Sequence, residues 1–167
     1  MTCDLGPTIN ISRHLQRLLQ PIYDQAAQSM TYFKGVDAVD ATEFYAQKGY
    51  LQPTTLFISL QVHDLCTIFP HEQTMQALEK FLSTYLPERE IQGLTISTIL
   101  QLVRLVLENQ FFLYNSCVYR QIKGCGSGSP LTILLADIYM FYWQQDLVNS
   151  LLNKNEIFGR YFVLPIQ

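Results

Sequence analysis

The residues with the clearest chemical potential lie between Gln121 and Met140, QIKGCGSGSPLTILLADIYM. Three glycines and two serines crowd into Gly124–Ser129, and an apolar run begins directly after them. Glycine permits backbone angles and close approaches that a β-carbon forbids. Ser129 followed by Pro130 reads as a helix start, because a serine hydroxyl caps free amides and proline fits the first helical turn. Such a loop aims backbone N–H groups at whatever lies in front of the helix, an arrangement suited to phosphate. An ordinary tight loop leading into a core helix has the same composition, so the segment alone leaves both readings open. Arg120 and Lys123 flank the loop and could meet a phosphate backbone, or simply be solvated. His14, His63 and His71 are scattered without partners at ligand spacing, and His71-Glu72 fits the first turn of a helix. Cys3, Cys66, Cys117 and Cys125 form no CxxC pair, which argues against a zinc site and a disulfide scaffold.

The elements that would position these groups follow from hydrophobic period. Apolar residues at Leu15, Leu18, Leu19, Ile22 and Tyr23 predict a helix over about 11–30, interrupted near Pro21. A second, short helix over 40–48 would stop at Gly49. Thr54–Val62, TTLFISLQV, is rich in β-branched and apolar residues and reads as a buried strand. A helix follows from Pro70 to about Leu86, and another from Ile96 to Asn109. Phe111–Tyr114 and Cys117–Gln121 read as a hairpin about Asn115-Ser116. The helix from Pro130 should continue through Leu147 and Leu151 to a break at Asn153–Asn155, before a last short strand over 159–166.

The chain of 167 residues is 49% hydrophobic and 15% charged, with ten Tyr and ten Phe, which excludes a disordered tail. Its net charge of −3 counts against strong nucleic-acid binding, since phosphate neutralisation needs a basic excess. The longest greasy stretch, Leu131–Trp143, contains Asp137 and is too short to cross a bilayer. The first ten residues lack a basic start and an apolar core, so no signal peptide is read and an intracellular location is expected.

The order strand, helix, helix, hairpin, glycine loop, long helix resembles the fingers and palm of reverse transcriptases. One motif of the Penelope-like, non-LTR and group II intron kinds reads roughly Q-x-x-G-x-x-M-G-S-x-x-S/T, then A-N-x-Y-M. Gln121, Gly124, Gly128, Ser129, Thr132, Ala136, Tyr139 and Met140 fall in register with it, while Ser127 and Asp137 depart. The catalytic-strand motif of Penelope-like enzymes resembles F/L-x-S-x-D-V-x-x-L-Y-T-x-I-P, and Phe57, Ser59, Val62, Leu65, Thr67 and Pro70 match. The resemblance covers about two thirds of the chain and is closest in wording to Penelope-like retroelements.

By that resemblance, Gln121, Gly124, Gly128 and Ser129 face template and nucleotide, and Cys66 stands at the steric gate. Polymerases of this family bridge the attacking oxygen and the triphosphate with two Mg²⁺, which require carboxylate oxygens. Gln61 occupies the position of the first aspartate. Asp64 lies three residues on, which a regular strand would turn to the opposite face. After Arg160-Tyr161, which match the opening of R-Y-x-D-D, Val163 and Leu164 stand where the paired aspartates belong. The resemblance therefore implies an α+β fold, mostly helical with a small antiparallel sheet. It implies a helical lead-in over 1–50, an incomplete palm and fingers over 51–167, and no thumb. It implies a retroelement-derived RNA-directed DNA polymerase fragment without activity and without bound magnesium. Partners would be RNA or DNA held weakly, with no membrane. A non-enzymatic binding remnant, or an unstable product of a truncated gene model, are the alternatives.

Overall fold

Helical period and tight-turn chemistry account for most of the elements in the computed structural model, which describes residues 7–126 and 128–161. The chain order is α1 (Ile9–Ala27), β1 (Thr31–Tyr32), α2 (Gly35–Gln47), α3 (Leu65–Ile68), α4 (His71–Tyr85), β2 (Glu90–Ile91), β3 (Leu94–Thr95), α5 (Ile96–Glu108), β4 (Phe111–Tyr114), β5 (Cys117–Arg120), α6 (Leu131–Trp143), α7 (Gln145–Leu152) and β6 (Arg160–Tyr161). The fold is α+β, with short two-stranded sheets beside a majority of helix. Among the described residues no helix is long and apolar enough to cross a membrane.

The chain divides into two compact units. The first is built from the chain up to Ala26 together with Val62–Tyr142, and the second from Ala27–Gln61 together with the chain from Trp143 onward.

In the first unit, the apolar stripes of α1, α4 and α5 turn inward. Leu15, Leu19 and Tyr23 are buried on α1, Met75, Leu78, Phe81 and Leu82 on α4, and Ile99, Val103 and Val106 on α5. These spacings of three and four residues are the signature of one helical face. Pro21 sits inside α1 without ending it, contrary to the expected interruption. The helix α6 is apolar on nearly every side and buries Leu131, Leu134, Leu135 and Ile138, as a central helix must. Rings join α1, α4 and α6: Tyr23 lies 6.0 Å from Phe81 and 6.4 Å from Phe141, and Phe81 lies 6.2 Å from Phe141. Such edge and tilted contacts between aromatics add to simple burial. The hairpin β4–β5 forms as the sequence predicts, with Phe112 opposite Tyr119 and positive φ at both Asn115 and Ser116.

In the second unit, α2 begins at Gly35, earlier than the sequence suggests. Asp37 accepts the backbone N–H of Phe33 and Lys34 through one carboxylate oxygen, and this capping contact draws the start forward. The strands β1 and β6 pair in parallel, with Thr31 beside Arg160 and Tyr32 beside Tyr161. A β-carbon at Gly159 would meet the Tyr32 ring, and the ring would have to shift to admit it. Tyr45 donates a 2.7 Å hydrogen bond to Glu156, tying α2 to the loop before β6.

Two further expectations fail. Thr54–Val62 is not a buried strand: from Leu56 on it has no regular structure, and every residue of Leu56–Val62 is exposed. Its alternation states which face prefers burial, but a strand also needs a neighbour to bond, and none of the described strands pairs with it. The helix from Pro130 does not run unbroken to Leu151. It ends at Trp143, and α7 starts anew after Gln144. Of the last expected strand, Arg160–Tyr161 is seen as β6, and 162–166 lies outside the described residues.

Candidate functional site

The glycine loop is bonded to the one-turn helix α3 and the residue after it. Gly124 N–H donates to the Phe69 carbonyl and Cys125 N–H to the Cys66 carbonyl, each at 2.8 Å. The approach is so close that a β-carbon on Gly124 would overlap the backbone of Thr67, and its φ is +63°. Only glycine tolerates both conditions. The ring Nε2–H of His71, at the start of α4, donates to the Gly124 carbonyl at 2.6 Å. His71 therefore holds the loop against α4, a structural task that Pro70-His71 alone did not reveal.

Several further polar groups of the described loop residues are also engaged. Gln110, buried at the end of α5, accepts Gly126 N–H at 3.3 Å through its side chain and Gln121 N–H at 2.8 Å through its carbonyl. Thr132 Oγ1–H donates to the Gly126 carbonyl at 2.8 Å, and Ser129 N–H to the same carbonyl at 2.9 Å. Ser12 on α1 accepts Leu131 N–H at 3.2 Å and shares a 2.6 Å hydrogen bond with Ser129 Oγ. The donor-satisfying oxygen for the first turn of α6 comes from Ser12, more than a hundred residues away, whereas the sequence pointed to Ser129. The amides of Gly124, Cys125, Gly126, Ser129 and Leu131 are thus all committed internally, so they do not form a phosphate cradle.

The site residues read from the sequence fall in different settings. Gly124 and Ser129 are buried, and Cys66, Gln121 and Gly128 are half-buried. Gln121 Nε2–H bonds back to the Lys123 carbonyl at 2.8 Å. Gln61 is exposed on the irregular stretch before α3, while Arg120 and Lys123 are exposed beside the loop. Val163 and Leu164 lie outside the described residues, as does Ser127.

Two acidic groups bear on any metal chemistry. Asp64 takes up a left-handed backbone, φ 55°, at the start of α3 and is exposed. Asp137, on α6, is half-buried as a residue, but its Oδ2 is enclosed and lacks a hydrogen-bond partner among the described residues. Burial, helped by the Asp24 carboxylate, raises the Asp137 carboxyl to about 7. Burial also raises the Cys66 thiol, with smaller contributions from Asp137 and Cys125. Among the described residues no three His, Cys, Asp or Glu side chains converge as a metal group. A pair of magnesium ions needs several anionic oxygens around a shared centre. An exposed amide at Gln61, an exposed turn at Asp64 and an enclosed, desolvated carboxyl at Asp137 do not fit that requirement.

No protein-family model, no curated protein and no solved structure matches the chain.

The residues that sequence reasoning missed are Ser12, Gln110 and His71 as loop anchors. Ser12 is a polar residue on the otherwise apolar face of α1, and that mismatch is the signal that could have marked it, whereas Gln110 lies just past the end of α5 and has no such mark.

Proposed function

We propose that this chain is a reverse-transcriptase-like fingers and palm fragment, of retroelement origin, that does not transfer nucleotides. The observation that supports the reading is the contact between its two motif blocks. The glycine loop, Gln121–Ser129, hydrogen-bonds through Gly124 and Cys125 to the segment Cys66–Phe69 that closes the strand motif. The end of one block, Cys66–Phe69, and the glycine loop of the other are thereby neighbours in space. Gln61 at the position of the first aspartate gives the reason for inactivity: a neutral amide supplies one weak oxygen and balances no ionic charge.

Whatever nucleic-acid contact survives would run through Arg120 and Lys123, with the acidic total limiting its strength. Purified protein is to be tested for primer extension on an RNA template with Mg²⁺ or Mn²⁺. No incorporation is expected, and template-dependent synthesis would overturn the reading. A fluorescence-anisotropy titration with single-stranded RNA across a salt series measures the contact. Weak binding that falls steeply with salt is expected, and an undetectable response at low salt removes the nucleic-acid partner.

A further inference from the structure

Leu56–Val62 reads LFISLQV, seven residues with no charge, no glycine and no proline. None of its backbone groups is hydrogen-bonded among the described residues. Leu56 is 81% exposed, Phe57 72%, Ile58 78% and Leu60 79%, an unusual concentration of large apolar side chains in water. Charge-free segments of this length and β propensity, left open, favour pairing with identical strands.

The pattern is complementary to itself. Set antiparallel about Ser59, two copies place Leu56 opposite Val62, Phe57 opposite Gln61 and Ile58 opposite Leu60, and Ser59 faces its equivalent. Alternation along each strand then gathers Leu56, Ile58, Leu60 and Val62 of both copies on one face. No like charges meet across the pair, and the unbonded N–H and C=O groups find partners. A two-fold axis supplies this match without further design, because both sides of the contact are the same surface.

We propose that Leu56–Val62 is a homotypic pairing strand, through which two copies of this chain associate antiparallel about Ser59. A single pair of seven-residue strands is small beside the interface of a permanent dimer, so the association belongs to the weak, reversible class.

Sedimentation velocity of the full chain, over roughly 1–200 µM as suits a contact of that class, tests it. The wild type is expected to shift from monomer towards dimer with concentration. Ser59→Asp and Ser59→Lys each set like charges face to face, and each is expected to weaken association several-fold. An equimolar mixture of the two variants should recover the dimer, since the introduced carboxylate meets the introduced ammonium only in the mixed pair. Ile58→Thr, which trims the apolar face without adding charge, should weaken association several-fold. A wild type that stays monomeric throughout overturns the proposal. So does undiminished association of the Ser59→Asp and Ser59→Lys chains, or a mixture that stays monomeric. A monomer whose segment is instead covered by a different protein counts equally against it.

Discussion

At the scale of single residues, Gly124 and Asp137 carry constraints that their neighbours do not share. Gly124→Ala forces a β-carbon into the backbone of Cys66 and Thr67 at a positive φ. Neither neighbour is the far end of a flexible side chain, so relief requires the loop to move, and a loss of about 2–4 kcal/mol is expected in urea unfolding. Gly35→Ala is the contrast: among the described residues nothing lies within 4 Å of the added carbon, and the site is in the first turn of α2. That substitution should leave stability unchanged or raise it by up to about 1 kcal/mol. Equal losses at both sites would show that the packing at Thr67 does not decide the outcome.

Asp137 makes stability depend on pH. Its folded carboxyl is raised to about 7, chiefly by burial, from an ordinary value of 3.8. A raised carboxyl keeps its proton in the fold while the unfolded chain has already lost it. Its contribution is therefore full below about pH 4 and is lost as pH rises to about 7, at most about 4 kcal/mol in total. Asp137→Asn keeps the shape and removes the titration. Thermal melts of this variant should be flatter than the wild type's between about pH 4 and 8, and higher at the alkaline end. Parallel pH profiles for the two proteins would place the titration elsewhere.

At the scale of elements, the sequence is legible where the determinant is local. Asn115-Ser116 between two apolar runs suffices for the hairpin β4–β5, because both residues tolerate the left-handed backbone the turn requires. The stripes of α4 and α5 likewise identify their buried faces directly. The stretch Thr54–Val62 misleads because β propensity reports how a side chain suits a sheet, and not whether a sheet is present. The break at Gln144 escapes notice because the apolar spacing continues through it, from Phe141 to Val148, with no proline or glycine to mark it.

The candidate site is legible in its glycines and opaque in its anchors. Ser12 bonds to Leu131 and Ser129 across 119 and 117 positions, a pairing no local pattern encodes. Ser12→Ala should cost about 1–3 kcal/mol, since it strands a buried amide and a buried hydroxyl at once. Adding Ser129→Ala to that change should cost less than the sum of the two single losses, because the second hydroxyl no longer needs a partner. A double-mutant cycle in urea checks this, and strict additivity would mean the two hydroxyls do not act together.

At the scale of the whole molecule, the chain passes between its two units near Ala26, Gln61 and Tyr142. Of these crossings only the second is open: α1 and α6 carry the chain through the other two, while Leu56–Gln61 is exposed and makes no backbone hydrogen bond among the described residues. Proteolysis requires a segment to be accessible and able to adopt an extended form, and stable helices resist it. Chymotrypsin, which prefers large apolar side chains, should therefore cut first at Leu56, Phe57 or Leu60. The first unit draws α1 from before the cut and α4, α5 and α6 from after it. Leu15, Leu19 and Tyr23 are fully or almost fully buried, Tyr23 against Phe81 and Phe141, and Ser12 is bonded to Ser129. A nick at Phe57 thus severs the covalent chain but leaves the packing of α1 in place. Under native conditions the two fragments should elute together by size exclusion and separate only in denaturant. Early cutting elsewhere would mean that another segment opens more readily. Fragments that part without denaturant would mean that the buried face of α1 does not hold it to the rest of its unit.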